Sequence, residues 1–172
     1  LEVDFLDAAR GGATRITLPG GEAMDVAIPA GLRDGQTLRL RGKGGEGYGG
    51  GPRGDALVTV TVRPHPLFRR EGDDILLTLP ITIDEAVLGG KVAVPTLQGE
   101  VNLTIPKGAS SGRVLRLRGR GIARGGASGD QLVELRIVLP KGEDAALAAF
   151  LEEWRQNRTD DPRRDMLKGV PL

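Results

Sequence analysis

The heptapeptide LRLRGKG at residues 38–44 returns as LRLRGRG at residues 115–121. At the same offset, IPAG at residues 28–31 returns as IPKG at residues 105–108. The alternation of apolar and polar positions is kept along with the letters, which chance similarity between glycine-rich loops would not produce. Self-similarity at a fixed spacing indicates a duplicated structural unit. We therefore predict two tandem copies of one small domain.

Apolar and polar residues alternate within each copy, as in residues 24–28 and 58–62. A period of two is typical of half-buried antiparallel strands. Short stretches at 7–11 and 84–89, each closed by glycine, predict a single helical turn in each copy. We expect a mainly β protein with two tandem small β-sandwich or barrel domains, each with one short helix.

The two sandwiches are expected to span residues 1–66 and 67–140, and residues 141–172 form a separate C-terminal segment. Pro64 and Pro66 lie at the join between the sandwiches. Because proline fixes its own backbone torsion, we interpret this join as a rigid corner.

The C-terminal segment changes to a helical period. Leu147, Phe150, Leu151 and Trp154 follow one another at i, i+3, i+4 and i+7, which places them on one stripe of a helix. Asp144 stands where an acidic residue favours a helix start. From these residues alone, the stripe is either the seam of a dimer or a surface that packs on the chain's own sandwich.

The composition excludes several classes of protein. Lys and Arg total 24 against 23 Asp and Glu, so the chain is not a general polyanion binder. It has no cysteine, which excludes disulfides, cysteine-bound zinc and thiol nucleophiles. With His65 as the single histidine, a histidine-based metal site is also excluded. We expect no cofactor and no metal. No apolar run is long enough for a membrane span, and we expect no contact with a membrane.

Two catalytic motifs occur in an unsuitable context. Residues 108–112 match the pattern G-x-S-x-G, and residues 42–47 match G-x-G-x-x-G. Both motifs need a helix directly after them, whereas strand patterns flank both stretches, so we interpret them as loops. His65 has no visible nucleophile or orienting partner, and we interpret it as a structural residue of a turn. We expect no enzymatic activity.

Four arginines recur at equivalent strand positions, namely Arg39, Arg41, Arg116 and Arg118. They are either solvated residues on the polar face of a strand or contacts to nucleic acid phosphates. The second possibility makes DNA binding the alternative function, although aromatic residues for stacking on single strands are scarce. Nucleic acid is the less favoured partner.

The N-terminal strands carry more apolar positions than one small core needs. Leu1, Val3 and Phe5 share one face of the first predicted strand, and Ile16 and Leu18 share a face of the next. These residues form either the core or an exposed groove, and exposed apolar grooves are typical of peptide-binding sites.

Several further stretches carry a resemblance to a known family. They are DAARGG at 7–12, GD at 54–55, HPLFRREGDD at 65–74, DEAVLGG at 84–90 and VPTLQG at 94–99. With the repeated motifs, they resemble the C-terminal substrate-binding region of DnaJ-type J-domain co-chaperones. Because the chain has no cysteine, it is similar to the type that lacks the zinc module.

The resemblance implies a fold and a set of partners. It implies two tandem β-sandwiches and a C-terminal helix that joins two copies in a homodimer through Leu147, Phe150, Leu151 and Trp154. Unfolded polypeptide clients would bind the first sandwich and pass to a DnaK-type ATPase chaperone. The chain begins with Leu1 and not with Met, and we expect it to be a fragment of a longer cytoplasmic protein.

The resemblance also implies where clients bind. The family's peptide groove lies between the first two strands of the first sandwich, and the matching positions are Leu1, Val3, Ile16, Leu18 and, from the join, Phe68. The J domain of this family carries a His-Pro-Asp motif. Here Leu67 follows the His-Pro pair, so the stimulation of the partner ATPase is not expected from this part of the chain.

Overall fold

The computed structural model describes residues 1–45 and 47–172. Glu46, within the predicted loop at 42–47, lies outside them. The chain divides into two compact units, Leu1–Val138 and Leu139–Leu172. The described residues are mainly β, as the alternation predicts, and their strands form several small sheets rather than a closed barrel. The further division of the first unit at residue 66 stays a prediction.

The first copy contains three two-stranded sheets. Its elements are β1 (Glu2–Val3), α1 (Phe5–Arg10), β2 (Gly12–Thr17), β3 (Ala23–Ile28), β4 (Thr37–Leu40), a 3-10 turn (Tyr48–Gly50), β5 (Ala56–Thr59) and β6 (Thr61–Val62). Strand β2 pairs with β3 and β4 with β5, both antiparallel, while β1 and β6 run parallel. Strand β3 ends at Ile28, directly before Pro29, because proline lacks the N–H that would continue the ladder.

The second copy contains a four-stranded sheet. Its elements are β7 (Phe68–Glu71), β8 (Asp74–Ile81), α2 (Ile83–Leu88), β9 (Gly90–Thr96), β10 (Gly99–Ile105), β11 (Val114–Leu117), β12 (Ala123–Arg124), β13 (Ala127–Ser128) and β14 (Gln131–Ile137). The sheet order is β11-β14-β8-β7, in which β8 and β14 run parallel. The prediction of antiparallel strands is therefore wrong for β1–β6 and β8–β14, because a period of two reports which face is buried but not the direction of the neighbouring strand.

The prediction that Phe5 shares a strand face with Leu1 and Val3 is wrong. Strand β1 ends at Val3, Asp4 is the N-cap residue, and Phe5 opens helix α1. Both short helices begin before the predicted stretches, at Phe5 and at Ile83. Their first residues, Phe5 and Ile83, are apolar, so the strand pattern continues into the helix and conceals its start.

The first unit has two hydrophobic cores, and α1 contributes to both. The core of the first copy is formed by Val3, Ala8, Val26, Ile28, Leu32 and Val60. The larger core of the second copy includes Phe68, Ile75, Leu77, Ile81, Val94, Ile105, Ile122, Val133 and Leu135. Ala8 lies in the first core, whereas the adjacent Ala9 lies in the second. The helix therefore links the two sandwiches.

Arg70 makes the main polar connection between the two copies. Its Nη1 donates to the Leu32 carbonyl and its Nη2 to the Gly31 carbonyl, each at 2.9 Å, while Nε donates to the Gly72 carbonyl at 2.7 Å. On the other side of the join, Arg10 Nε donates to the Leu97 carbonyl at 2.6 Å. Guanidinium groups thus satisfy carbonyls that the join would otherwise leave without donors.

The second compact unit contains helix α3 (Ala145–Trp154), followed by a 3-10 turn (Arg155–Asn157). The Asp144 carboxylate accepts a 2.9 Å hydrogen bond from the Leu147 N–H, so the predicted helix start is confirmed. No residue of α3 is buried, and Phe150 and Trp154 are 62% and 51% exposed. In the described part of the chain, no helix is long and apolar enough to cross a membrane.

Candidate functional site

Strands β1 and β2 each leave one edge without a strand partner among the described residues, since β1 pairs with β6 alone and β2 with β3 alone. The Leu1 carbonyl accepts a 2.7 Å hydrogen bond from the Thr61 N–H in β6, and the Val3 carbonyl accepts a 2.9 Å bond from the Arg63 N–H directly after β6. Because a strand directs its backbone groups alternately to its two sides, those of Glu2 point away from β6. By the same alternation, the backbone groups of Arg15 and Thr17 point away from β3.

The five predicted site residues differ in exposure. Val3, Leu18 and Phe68 are buried, at 3%, 9% and 5% exposed, whereas Leu1 and Ile16 are partly exposed. Leu1, Val3 and Ile16 belong to the core of the first copy. Phe68 belongs to the core of the second copy. Three of the five therefore share one hydrophobic cluster, in which Val3 is buried and Leu1 and Ile16 are partly exposed.

Leu18 lies in neither core but at one end of the first sandwich, beside a hollow of about 420 Å³. The hollow is lined by Leu18, Gly20, Lys43, Gly45, Arg53 and Ala56. The hollow is not among the features predicted from the sequence. Its signal was the set of small residues at positions where the second copy has large ones.

The join packs around His65 and Phe68. His65 Nδ1 accepts hydrogen bonds from the backbone N–H groups of Leu67 and Phe68, at 3.0 and 3.2 Å. The imidazole centroid lies 4.7 Å from the Phe68 ring, which in turn lies 6.4 Å from the Phe5 ring. The interpretation of His65 as a structural turn residue is confirmed, because its acceptor nitrogen is occupied by the turn.

Two of the four strand arginines form ion pairs within their own hairpins. Arg39 pairs with Asp55 and Arg116 with Asp130. Asp55 also accepts a 2.8 Å hydrogen bond from the Gly42 N–H, and this bond, followed by that from Arg39, lowers the pKa of the Asp55 carboxyl. Arg41 and Arg118 are exposed. Half of this repeated basic set therefore has its charge compensated locally.

The second copy repeats this arrangement at Asp130. Its carboxylate accepts a 2.8 Å hydrogen bond from the Gly119 N–H. That bond, followed by the one from Arg116, lowers the pKa of the Asp130 carboxyl. The repeated Gly-Asp pair at 54–55 and 129–130 therefore has a structural role, closing the turn after the strand arginine.

The G-x-S-x-G motif lacks the required geometry. Residues 108–112 connect β10 to β11, so a strand and not a helix follows Ser110. The adjacent Ser111 hydroxyl accepts a 2.9 Å hydrogen bond from the Ile137 N–H and supports the loop. A nucleophile elbow needs a strand-to-helix turn, so the G-x-S-x-G stretch is a structural loop.

A family model described as the DnaJ C terminal domain matches residues 1–140. The chain is 46% identical over 138 residues to the Chaperone protein DnaJ of Ruminiclostridium cellulolyticum, covering 79% of this chain and 36% of that protein. It is 46% identical over 150 residues to the Chaperone protein DnaJ 1 of Streptomyces coelicolor, covering 86% and 38%.

A third relative has a different name. The chain is 43% identical over 142 residues to the Curved DNA-binding protein of Coxiella burnetii, covering 83% of this chain and 45% of that protein. The chain therefore spans less than half the length of each of these relatives.

Proposed function

The chain belongs to the DnaJ C-terminal domain family, and from this premise we propose that it is the client-binding part of a co-chaperone. It holds extended, apolar segments of unfolded polypeptide and delivers them to a DnaK-type ATPase chaperone. The clients bind along the edges of β1 and β2. The cytoplasmic location expected from the sequence stays a prediction.

The observation that carries this proposal is the pair of open edges beside a partly exposed part of the core. The backbone groups of Glu2 and Thr17 offer donors and acceptors to an added strand, as in other cases of strand addition. Leu1 and Ile16 lie next to these edges and are partly exposed. Backbone pairing does not depend on client sequence, and loose apolar contacts accept many side chains, which suits a protein that binds many clients.

One such site binds weakly on its own. Each client side chain that becomes buried contributes roughly 1.5–3 kcal/mol before the cost of ordering the client. A homodimer through α3 presents two sites, and the second contact then benefits from a high effective concentration. The proposed dimer is thus part of the proposed function.

The first test measures binding of a fluorescent, extended apolar peptide by anisotropy. Ile16→Ser removes the partly exposed side chain at the β2 edge and should weaken binding roughly tenfold, since about 1.4 kcal/mol corresponds to a factor of ten. Leu57→Ser is the matched control, because Leu57 on β5 is 72% exposed and lies outside the site. Equal affinities for the two variants would place the client elsewhere.

The second test separates backbone pairing from side-chain contact. Peptides methylated at alternate backbone nitrogens keep their side chains but lose the N–H groups that a strand edge needs. If clients add to β1 or β2, methylation in one register should abolish binding and methylation in the other should leave it unchanged. Equal loss in both registers, or in neither, contradicts strand addition.

DNA binding is a second candidate, favoured by the exposed Arg41 and Arg118 and by the name of the Coxiella burnetii relative. Phosphate contacts release counterions, so this function predicts an affinity that falls steeply with salt. The double variant Arg41→Ala, Arg118→Ala should then bind DNA more weakly and with a smaller salt slope. If the unmodified protein showed no change of DNA affinity with salt concentration, this function would be excluded.

A further inference from the structure

The join between the two sandwiches shows how one copy docks on the next. Helix α1 of the first copy places Ala9 against the core of the second copy, and Arg10 donates to the Leu97 carbonyl in the β9–β10 turn. Gly31, at the same end of the first copy, lies so close to Ile122 and Arg124 that a Cβ there would collide with them. A helix face of one copy therefore covers the hairpin end of the other.

Because the copies are equivalent, each copy has a helix face and a hairpin end. The join covers the helix face of the first copy and the hairpin end of the second, so one helix face and one hairpin end remain uncovered by it. The hairpin ends correspond in detail, since the Gly129 N–H donates to the Ile122 carbonyl at 3.0 Å and the Gly54 N–H donates to the Gly45 carbonyl at 3.0 Å. The uncovered surfaces are the hairpin end of the first copy and the α2 face of the second copy.

Among the described residues, the hairpin end of the first copy is hollow where that of the second copy is filled. In the second copy, Leu97, Ile122 and Gln131 are at most 2% exposed and occupy this end of the sandwich. The first copy has Gly20, Gly45 and Ala56 at the corresponding positions. These small residues line the hollow of about 420 Å³ beside Leu18.

The α2 face of the second copy, in contrast, carries larger apolar side chains than the α1 face of the first copy. Val87 and Leu88 are 59% and 66% exposed, at the positions where α1 has the buried Ala9 and the exposed Arg10. Gly108 corresponds to Gly31, but no atom lies within 4 Å of the place where its Cβ would stand. Large side chains on one open surface thus match a hollow on the other.

The charges of the two open surfaces are also complementary. Lys43 and Arg53 stand at the rim of the hollow, and Lys43 is 3.3 Å from Glu22. Asp84 and Glu85 lie in the first turn of α2. Glu22 also lines the hollow and pairs with Lys43, so the charge contact with the acidic start of α2 falls to Arg53.

We propose that the hollow at the hairpin end of the first copy binds the α2 face of a second molecule of this chain. Val87 and Leu88 enter the hollow, in the orientation that α1 adopts at the internal join. The contact joins two different surfaces, so it can repeat and arrange molecules in a row. It shares Leu18 with the client groove expected from the sequence and is separate from the proposed α3 seam.

Cysteine cross-linking tests this contact directly, because the natural chain has no cysteine. One preparation carries Gly45→Cys, at a glycine whose Cβ position has no atom of the described residues within 4 Å, and the other carries the exposed Leu88→Cys. Both carry Trp154→Asp to disable the proposed α3 seam. Mixing the two should give a cross-linked pair, whereas each preparation alone should give much less.

The control replaces Leu88→Cys by Leu57→Cys, which is equally accessible but lies on neither surface. Cross-linking of Gly45→Cys to Leu88→Cys no stronger than to Leu57→Cys overturns the proposal. A second measurement is sedimentation of the full chain over a range of concentrations. Leu88→Asp should remove species larger than a dimer and Leu57→Asp should leave them; loss with both, or with neither, also overturns the proposal.

Discussion

Asp55 and Asp130 occupy equivalent positions in the two copies, and each carboxylate joins a glycine N–H at 2.8 Å to a strand arginine. The arrangement closes the turn that follows β4 in the first copy and β11 in the second. The repeated sequence of arginine, glycine and aspartate therefore encodes a structural clamp. It also removes two of the four strand arginines from the charge available to a polyanion.

The clamps predict sensitivity to acid. The folded pKa of both carboxyls lies below the ordinary value of about 3.9. A lowered folded pKa contributes stability above the unfolded pKa, and this contribution is lost as the pH falls through the folded value. In urea unfolding, Asp130→Asn should therefore lower the midpoint at neutral pH, and its difference from the unmodified protein should shrink below about pH 4.

Asp25→Asn is the control for this pH dependence. The Asp25 side chain is 70% exposed and lies 3.8 Å from Arg15, without the glycine N–H of the clamp. We expect it to change the midpoint little at any pH. A difference between Asp130→Asn and the unmodified protein that stays constant from neutral to acid pH would contradict the role of the clamp.

The hydrogen bonds of Arg70 predict that this side chain contributes to the stability of the join between the copies. Lysine keeps the charge but cannot donate to the Gly31, Leu32 and Gly72 carbonyls together. Arg70→Lys should lower the free energy of unfolding by about 2 kcal/mol, since buried carbonyls lose their donors. Arg69→Lys is the control, because Arg69 is exposed and, within the described part of the chain, its guanidinium donates only to the Thr78 hydroxyl, at 3.3 Å. Equal losses for both would refute the bridging role.

The helix caps differ between the copies and give a matched pair of variants. At α2, the Thr82 hydroxyl accepts from the Glu85 N–H at 3.3 Å, and the Glu85 carboxylate accepts from the Thr82 N–H at 2.9 Å. At α1, the Asp4 side chain makes no such cap. Thr82→Ala should therefore cost about 1 kcal/mol of stability, and Asp4→Ala less, by thermal or urea unfolding. A larger loss for Asp4→Ala would contradict the capping argument.

Sequence alone was sufficient for the elements whose signals are local. The alternation in residues 24–28 predicts β3, Pro29 marks its end, and Asp144 marks the start of α3. The repeat also predicts that one helix lies in each copy. These features depend on neighbouring residues only, so the pattern of the chain contains them.

Features that depend on distant contacts were missed. The start of α1 at Phe5 depends on packing against Phe68, and the parallel pairing of β8 with β14 depends on a connection across most of the second copy. In the sequence, the hollow beside Leu18 is indicated only by the alignment of Gly45 with its larger counterpart Ile122. Recognising it required aligning the copies position by position and asking which side chains fill each end.

Gly31 and Gly108 give a direct measure of packing at the join. Both have positive φ, 81° and 73°, so alanine at either site costs about 1 kcal/mol or more from the backbone alone. Only Gly31 has neighbours from the second copy against it. Gly31→Ala should therefore lower the unfolding midpoint more than Gly108→Ala. Equal unfolding midpoints for the two variants would indicate that the join accommodates the added methyl group without a loss of stability.

Where no other contact joins two molecules, we expect helix α3 to determine the oligomeric state. Phe150 and Trp154 are mostly exposed on the apolar stripe, and such residues gain most by burial in a dimer seam. Trp154→Ser should give monomers by light scattering at concentrations where the unmodified chain is a dimer. Ala149→Ser, on the opposite side of the helix, should leave the dimer intact. At the same concentrations, a chain ending at Lys141 that also carries Leu88→Asp should be monomeric, and a dimer that persists in it would show that the seam lies outside α3.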